Sequence, residues 1–209
     1  MTAIKTVGVI GSGQMGNGIA HVAALAGFHV ILNDVSEDRL KSAMATINGN
    51  LSRQVARKTI TEDAHKKALA RISSSDTLDG LAACDLVIET AVEKEDIKRK
   101  IFHDLCAVLK PEAIIASNSS SISITRLAAS TDRPERFIGI HFMNPVPVME
   151  LVELIRGIAT DDKTFDAART FVTKLGKQIA VSEDFPAFIV NRILLPMINE
   201  AIYTLYEGV

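Results

Sequence analysis

The stretch "KTVGVIGSGQMGNGIAHVAALAG", residues 5–27, decides the fold of this chain. Residues 5–10 are a short, mostly apolar run with β-branched side chains, which is typical of a strand buried on both faces of a parallel sheet. The segment "GSGQMG" at 11–16 has the pattern G-x-G-x-x-G, and residues 14–27 read as a helix that ends at a glycine. A strand, a glycine-rich turn and a helix in this order predict the opening of a dinucleotide-binding βαβ unit.

Strand and helix patterns alternate along most of the chain. Further strands are predicted at 29–34, 84–90, 113–118, 136–142, 149–154 and 178–182. Further helices are predicted at 36–56, 61–71, 95–109 and 163–175. This alternation predicts an α/β fold with a doubly wound, mostly parallel sheet of the Rossmann type.

The alternation stops at "SEDFPA", residues 182–187, and residues 188–207 read as one long apolar helix. A helix this apolar needs packing partners that the chain does not supply. We therefore expect a dinucleotide-binding domain over 1–183, with a helical arm near 37–71. Residues 184–209 are expected to be the first helix of an all-α C-terminal domain that is cut off.

The three glycines of the turn have separate roles in such a unit. Gly11 permits the tight turn, Gly13 lets the backbone approach a pyrophosphate, and Gly16 lets the helix pack close to the strand. Asp34 ends the second strand, 18 residues after Gly16. A carboxylate there accepts hydrogen bonds from the adenosine ribose and repels a 2′-phosphate, which favours NAD over NADP. The alternative for Asp34 is a turn residue at a strand end.

Composition excludes several classes of function. The net charge of −2 gives no general attraction to nucleic acid, and no apolar run is long enough for a membrane helix. The two cysteines, Cys84 and Cys106, fit no metal motif and no disulfide framework. We expect a cytoplasmic protein that binds neither nucleic acid nor membrane and has no metal site.

The segment "GIHFMNPVPVMELVEL", residues 139–154, places a base and a carboxylate in runs that otherwise read as buried. A buried carboxylate is costly without a partner, and the partner expected for Glu153 is His141. Strand alternation lets Glu150 face solvent while Glu153 faces inward. An imidazole held by a carboxylate is an arrangement suited to a general base. Taken alone, His141 would be interpreted as a satisfied core histidine.

Two further polar features have open alternatives. The serine cluster "ASNSSSISI" at 116–124 follows a strand, where ligands of open α/β sheets bind, but it could also serve as a capping loop for the next helix. Asn191 lies inside the apolar segment "FIVNRILL" and needs a hydrogen-bond partner, which could belong to a neighbouring domain.

Five motifs together resemble the L-3-hydroxyacyl-CoA dehydrogenase family. They are "GSGQMG", "DLVIETAVE", "ASNSSSISIT", "HFMNPVPVMELVE" and "FIVNR", in the same order and at similar spacing over nearly the whole chain. Within the family, the chain is most similar to bacterial enzymes that act on 3-hydroxybutyryl-CoA. The resemblance implies NAD-dependent oxidation of a short-chain L-3-hydroxyacyl-CoA to the 3-ketoacyl-CoA, or the reverse reduction. It also implies a homodimer when the C-terminal domain is present.

The resemblance implies residue roles as well. His141 would take the proton of the substrate hydroxyl, Glu153 would orient His141, and Ser120 would bind the substrate oxygen with help from Asn191. The residues implied to bind the cofactor are Gly11, Gly13, Gln14, Met15, Gly16, Asp34, Glu93, Lys98, Ser120 and Asn144.

The CoA end of the site is implied to lie on the basic helical arm. Residues 53–71 contain six lysines and arginines against two acidic residues. This run resembles the family's arm that meets the CoA phosphates, with Asn50, Arg57 and Lys58 as the candidate contacts. The alternative is a solvated helical hairpin.

The chain departs from the family pattern at several positions. Ala187 stands where glycine is usual, Met143 replaces an aromatic residue beside His141, and Lys58-Thr59 stands where many members have Gly-Lys. Two rival functions remain open: a related dehydrogenase for sugar acids such as gulonate, and a dinucleotide-binding module without turnover.

Overall fold

The computed structural model describes residues 4–209, and its centre is one eight-stranded sheet with the order β3-β2-β1-β4-β5-β6-β7-β8. Neighbouring strands from β3 through β6 are parallel, β7 is antiparallel to β6, and β8 is parallel to β7. The strands are β1 Thr6–Ile10, β2 His29–Asn33, β3 Ile72–Ser75, β4 Leu86–Glu89, β5 Ile114–Ser117, β6 Phe137–Phe142, β7 Leu151–Arg156 and β8 Gln178–Glu183.

The helices connect these strands, and several begin at recognisable caps. Ser36, Thr61, Ser123 and Asp161 each accept a hydrogen bond from a backbone N–H of the helix that follows. The helices are α1 Gln14–Leu25, α2 Glu37–Ala56, α3 Glu62–Ala70, α4 Glu95–Cys106, α5 Ile124–Ala128, α6 Asp162–Lys174 and α7 Val190–Tyr206.

Helices cover both faces of the sheet, and each face has its own apolar core. One core includes Ile19 of α1 and Ile47 of α2, and the other includes Phe102 of α4 and Ile124 of α5. The doubly wound, mostly parallel α/β fold predicted from the sequence is therefore confirmed.

The structure differs from the predicted elements at several points. The edge strand β3 was not predicted, and no bounds were predicted for the short helix α5 that follows the serine cluster. Helix α7 begins at Val190 rather than at 188, because Ala187 and Phe188 have φ angles of 68° and 51°, which lie in the left-handed region. On α4, Lys98 is buried, whereas Ile97 is 42% exposed although apolar residues recur every four positions from it, at 101, 105 and 109.

Helix α7 packs against little of the described chain. None of its residues is buried, and apolar side chains such as Ile193, Leu195 and Tyr203 are more than half exposed. Within residues 4–209, no helix has the length and apolar character needed to cross a membrane.

Candidate active site

The glycine-rich turn between β1 and α1 is held tightly against the end of β4. Gly11 has a φ angle of 92°, which favours glycine, and a Cβ atom at Gly16 would lie 1.7 Å from the Gly11 carbonyl oxygen. The Thr90 hydroxyl donates to the carbonyl oxygens of Ile10 and Gly11 at 2.8 and 3.0 Å. Sequence reasoning missed Thr90, although its place at a strand's carboxyl end was a usable signal.

The N-terminus of α1 is open to a ligand. Gly13 occupies the capping position without a side-chain cap, and the first helical turn has no acidic residue. The first N–H groups of a helix have no intrahelical partner and carry partial positive charge. A Cβ atom at Gly13 would meet no atom within 4 Å. These features fit the pyrophosphate of a dinucleotide.

A polar groove of about 550 Å³ adjoins this helix end. It runs between the glycine turn, α2 and the turn at 144–147, and its walls include Gln14, Asn17, Arg39, Asn50 and Asn144.

Asp34 follows β2 and is fixed against the glycine turn. Its Oδ2 atom accepts hydrogen bonds from the Ser12 backbone N–H at 2.9 Å and from the Ser12 hydroxyl at 2.8 Å. Its Oδ1 atom accepts from the Ser36 backbone N–H at 3.3 Å. The carboxylate therefore lies beside the turn, as a ribose-binding residue of a dinucleotide site does. Ser12 was not predicted as part of this arrangement.

His141 and Glu153 form a buried pair. They are direct cross-strand partners in the antiparallel pairing of β6 with β7, so their side chains project from the same face of the sheet. His141 Nδ1 lies 2.7 Å from Glu153 Oε2, and the two side chains are 9% and 0% exposed. Glu150 is exposed as predicted, but it lies just before β7, and residues 152–155 of that strand are all buried.

The second oxygen of Glu153 holds the start of α7. Glu153 Oε1 accepts hydrogen bonds from the backbone N–H groups of Ile189 at 2.9 Å and Val190 at 2.8 Å. Burial favours the neutral acid, but the bonds from His141, Val190 and Ile189 outweigh it and lower the pKa of Glu153. Glu153 is therefore an ionised partner for His141.

A cleft of about 420 Å³ collects residues from the ends of several elements. The sequence-predicted residues that line it are Met15, Glu93, Lys98, Ser120, His141, Asn144 and Asn191. Asn144 also lines the polar groove, so the two cavities adjoin. Asn191 Nδ2 donates to the Ser120 carbonyl oxygen at 3.2 Å. Asn118 was not predicted, but it lines the cleft, and its Oδ1 accepts from the Phe142 N–H at 2.8 Å.

Glu93 orders the serine loop, which we define as Ser119–Ser121. Its Oε1 atom accepts hydrogen bonds from the Ser119 hydroxyl at 2.5 Å and from the Ser120 N–H at 2.9 Å. Partial burial would raise the pKa of Glu93, but the bond from Ser119, the charge of Lys98 and the Ser120 N–H lower it. Glu93 is therefore an ionised anchor beneath Ser120.

Lys98 is almost fully buried and pairs with Glu89. Lys98 Nζ lies 2.7 Å from Glu89 Oε1, and the two side chains are 1% and 0% exposed. Glu89 also accepts hydrogen bonds from the Ser117 hydroxyl at 2.8 Å and the Ala91 N–H at 2.6 Å. Burial raises the pKa of Glu89 despite the opposing effect of Lys98. Glu89 was not singled out from the sequence, because an acidic residue ending a strand is also typical of a turn.

The structure places only one of the three residues implied to contact CoA in a cavity. Asn50 lines the polar groove, next to the exposed Arg53, which donates from Nη2 to Asn50 Oδ1. Arg57 and Lys58 are exposed beyond the end of α2 and line neither the groove nor the cleft. Lys58 has a φ angle of 59°, a left-handed conformation at the position where glycine is common in the family.

Comparisons with known proteins agree with this geometry. The family profile described as 3-hydroxyacyl-CoA dehydrogenase, NAD binding domain, matches residues 6–185. A 3-hydroxybutyryl-CoA dehydrogenase of Bradyrhizobium diazoefficiens is 82% identical over 206 residues, covering 99% of this chain and 70% of the relative. A probable 3-hydroxybutyryl-CoA dehydrogenase of Bacillus subtilis is 47% identical over 206 residues, covering 99% of this chain and 72% of the relative.

A solved structure has nearly the same backbone. The (S)-3-hydroxybutyryl-CoA dehydrogenase of Ralstonia eutropha superposes with a TM-score of 0.96 at 48% sequence identity. The alignment covers 99% of this chain and 73% of that protein. The resemblance inferred from the five motifs is thereby confirmed.

Proposed function

The chain belongs to the 3-hydroxyacyl-CoA dehydrogenase family, and from that premise we propose that it interconverts a short-chain L-3-hydroxyacyl-CoA, such as 3-hydroxybutyryl-CoA, and its 3-ketoacyl-CoA. NAD is the cofactor of this family. The observation that carries the proposal is the buried His141–Glu153 pair, 2.7 Å apart, beside the cleft that also contains Ser120 and Asn191.

The proton transfer depends on which nitrogen of the His141 imidazole carries a hydrogen atom. An ionised Glu153 can only accept, so His141 donates to it from Nδ1, and His141 Nε2 is left with a free lone pair. In the oxidation direction, His141 Nε2 takes the proton of the substrate hydroxyl as the C3–H bond breaks. The carbonyl forms from the electrons of the O–H bond. Glu153 then stabilises the imidazolium, and in the reduction direction His141 returns the proton.

Bound NAD supplies the hydride acceptor for the hydrogen that leaves C3. The residues that would hold it are those of the glycine turn, with Asp34 at the ribose and Glu93, Lys98, Ser120 and Asn144 near the reacting end. The Ser120 hydroxyl would also hydrogen-bond the substrate oxygen. Asn191, through its bond to the Ser120 carbonyl, would keep that residue in place.

The CoA part of the substrate would lie along the polar groove, whose amide and hydroxyl side chains include Asn17, Thr46 and Asn50. Arg57 and Lys58 would meet CoA phosphates from the exposed end of α2. Their charge and exposure support this role.

Residues 184–209 are proposed to begin a helical domain that completes the acyl-CoA site and forms a homodimer. The exposed apolar side chains of α7 support this role. A cytoplasmic location is part of the proposal, and two free cysteines agree with a reducing compartment.

A substrate panel tests the function. NAD reduction is measured with (S)-3-hydroxybutyryl-CoA, free 3-hydroxybutyrate and L-gulonate, using the chain alone and the chain extended through its proposed second domain. We expect turnover with (S)-3-hydroxybutyryl-CoA and none with free 3-hydroxybutyrate or L-gulonate. Turnover with gulonate would replace the proposed substrate by a sugar acid. Tight NADH binding without turnover of any compound by either protein would indicate a non-catalytic module.

A further inference from the structure

Behind the serine loop, one lysine ammonium lies between two glutamate carboxylates. We call Glu89, Lys98 and Glu93 the charge triad. Lys98 Nζ lies 2.7 and 2.9 Å from the two oxygens of Glu89, but 3.4 Å from Glu93 Oε2. The Glu89 and Lys98 side chains are 0% and 1% exposed, while Glu93 is 36% exposed. The ammonium is therefore committed to the inner carboxylate and makes only a long contact with the outer one.

The outer carboxylate uses its other oxygen to order the serine loop. Glu93 Oε1 accepts from the backbone N–H groups of Ser120 at 2.9 Å and Ser121 at 3.2 Å. It also accepts from the hydroxyl groups of Ser119, Ser120 and Ser121, at 2.5, 3.4 and 3.2 Å. The position of Ser120 is therefore sensitive to any movement of the Glu93 carboxylate.

We propose that Glu89 is a positioning residue, which holds Lys98 back from Glu93 and thereby leaves Glu93 free to order the serine loop. A buried ammonium needs a counter-ion, because its desolvation is otherwise uncompensated. Without the charge of Glu89, Lys98 takes Glu93 as its counter-ion and draws that carboxylate away from the loop. This inference rests on the proposed function, in which Ser120 binds the substrate oxygen. It gives Lys98 a second role beside the cofactor contact proposed above.

The proposal predicts an unusual order of effects among variants. Glu89→Gln keeps the shape of the side chain but removes the charge that restrains Lys98, so the serine loop loosens. Lys98→Met removes the ammonium itself, so nothing draws Glu93 from the serines and the loop changes little relative to the β1 amides, although Glu89 loses its counter-ion and the chain loses stability. In the double variant there is no ammonium to pull Glu93, so the damage caused by Glu89→Gln is rescued.

Backbone hydrogen exchange of Ser120 and Ser121, measured by NMR without cofactor or substrate, reads out the loop directly. We expect Glu89→Gln to accelerate their exchange at least about fivefold, and Lys98→Met and the double variant to stay within about twofold of the wild type. Amides of β1 serve as an internal reference for global stability. Lys100→Met is the matched control, because it removes an exposed lysine of the same helix that pairs with Asp104.

Two outcomes would overturn the proposal. If the double variant exchanges as fast as Glu89→Gln, or if the β1 amides accelerate equally, Glu89 does not act through Lys98 on the loop.

Glu89→Asp provides a further test in case Glu89→Gln does not fold. It keeps the charge but withdraws it by one methylene group, so it accelerates exchange at Ser120 and Ser121 less, and Lys98→Met should abolish that acceleration. An acceleration that persists in the presence of Lys98→Met contradicts the proposal. Because exchange needs no turnover, its result is independent of whether the proposed substrate is correct.

Discussion

Replacing Glu153 by glutamine should separate the two tasks of this carboxylate. Its Oε1 atom holds the N–H groups of Ile189 and Val190, and its Oε2 atom holds His141 Nδ1. Hydrogen bonds to a charged group contribute about 1.5–3 kcal/mol net, against about 0.5–1.5 kcal/mol for neutral ones. The two backbone bonds should therefore weaken by about 2 kcal/mol together, which lowers the melting temperature by about 4–8 °C for a chain of this size.

The same substitution should change the histidine tautomer. In Glu153→Gln, the amide oxygen continues to accept hydrogen bonds from the N–H groups at the start of α7. The amide NH₂ group then faces His141 Nδ1, which must accept a hydrogen bond from it. The proton moves to His141 Nε2, the atom proposed as the base, and turnover should fall by about 10²–10⁴-fold.

Thermal unfolding, ¹⁵N NMR of the imidazole and the rate of NADH oxidation measure the three effects of Glu153→Gln separately. A variant that keeps its proton on His141 Nδ1 and retains activity within about threefold of the wild type would refute the reasoning.

Three further predictions concern other parts of the chain. Burial lowers the pKa of His21, and the charge of Lys177 adds to this effect, whereas the hydrogen bond with Gln54 opposes it. As the pH falls below 6.5, His21 is therefore protonated more in the unfolded chain than in the folded chain. Unfolding free energy should therefore drop between pH 7.5 and 5.5 more in the wild type than in His21→Gln, as chemical denaturation would measure. Ala187→Gly relieves a left-handed alanine at φ 68° and should raise the unfolding free energy by about 0.5–1 kcal/mol. Ala201→Gly in the exposed helix α7 is the control, and it should lower the unfolding free energy. Arg57→Ala should raise the KM for acetoacetyl-CoA severalfold in a salt-dependent manner without changing NADH affinity, whereas Arg99→Ala on α4 should not. An unchanged KM would indicate that the arm is a solvated hairpin that does not contact CoA.

The central strands were predictable because strands buried on both faces of a parallel sheet must be apolar throughout. The dyad was predictable because a carboxylate inside an apolar run needs a partner, and His141 was the base in the neighbouring run. Strand β3 escaped prediction because its sequence "ISSS" lies at the sheet edge and carries a single apolar residue. Helix α5 was missed because it is only five residues long.

The charge triad was beyond the reach of sequence patterns. Ile97 begins the four-residue apolar repeat of α4 that continues at 101 and 105, yet Ile97 is 42% exposed and Lys98 is 1% exposed. A lysine can be buried there because Glu89, at the end of β4, supplies its counter-ion. Local periodicity contains no information about such a partner. The left-handed conformations at Lys58 and Ala187 were not predicted, although both positions were noted as departures from a glycine of the family.

The role of His141 is decided by the rate of NADH oxidation with acetoacetyl-CoA for the wild type, His141→Ala and the control His103→Ala, which removes an exposed histidine of α4. Each is measured in the chain extended through its proposed second domain, alongside NADH binding. We expect full activity in the wild type and in His103→Ala. His141→Ala should bind NADH normally but lose turnover by at least about 10²-fold. Turnover by His141→Ala close to that of the wild type would contradict the claim that the buried His141–Glu153 pair performs the proton transfer.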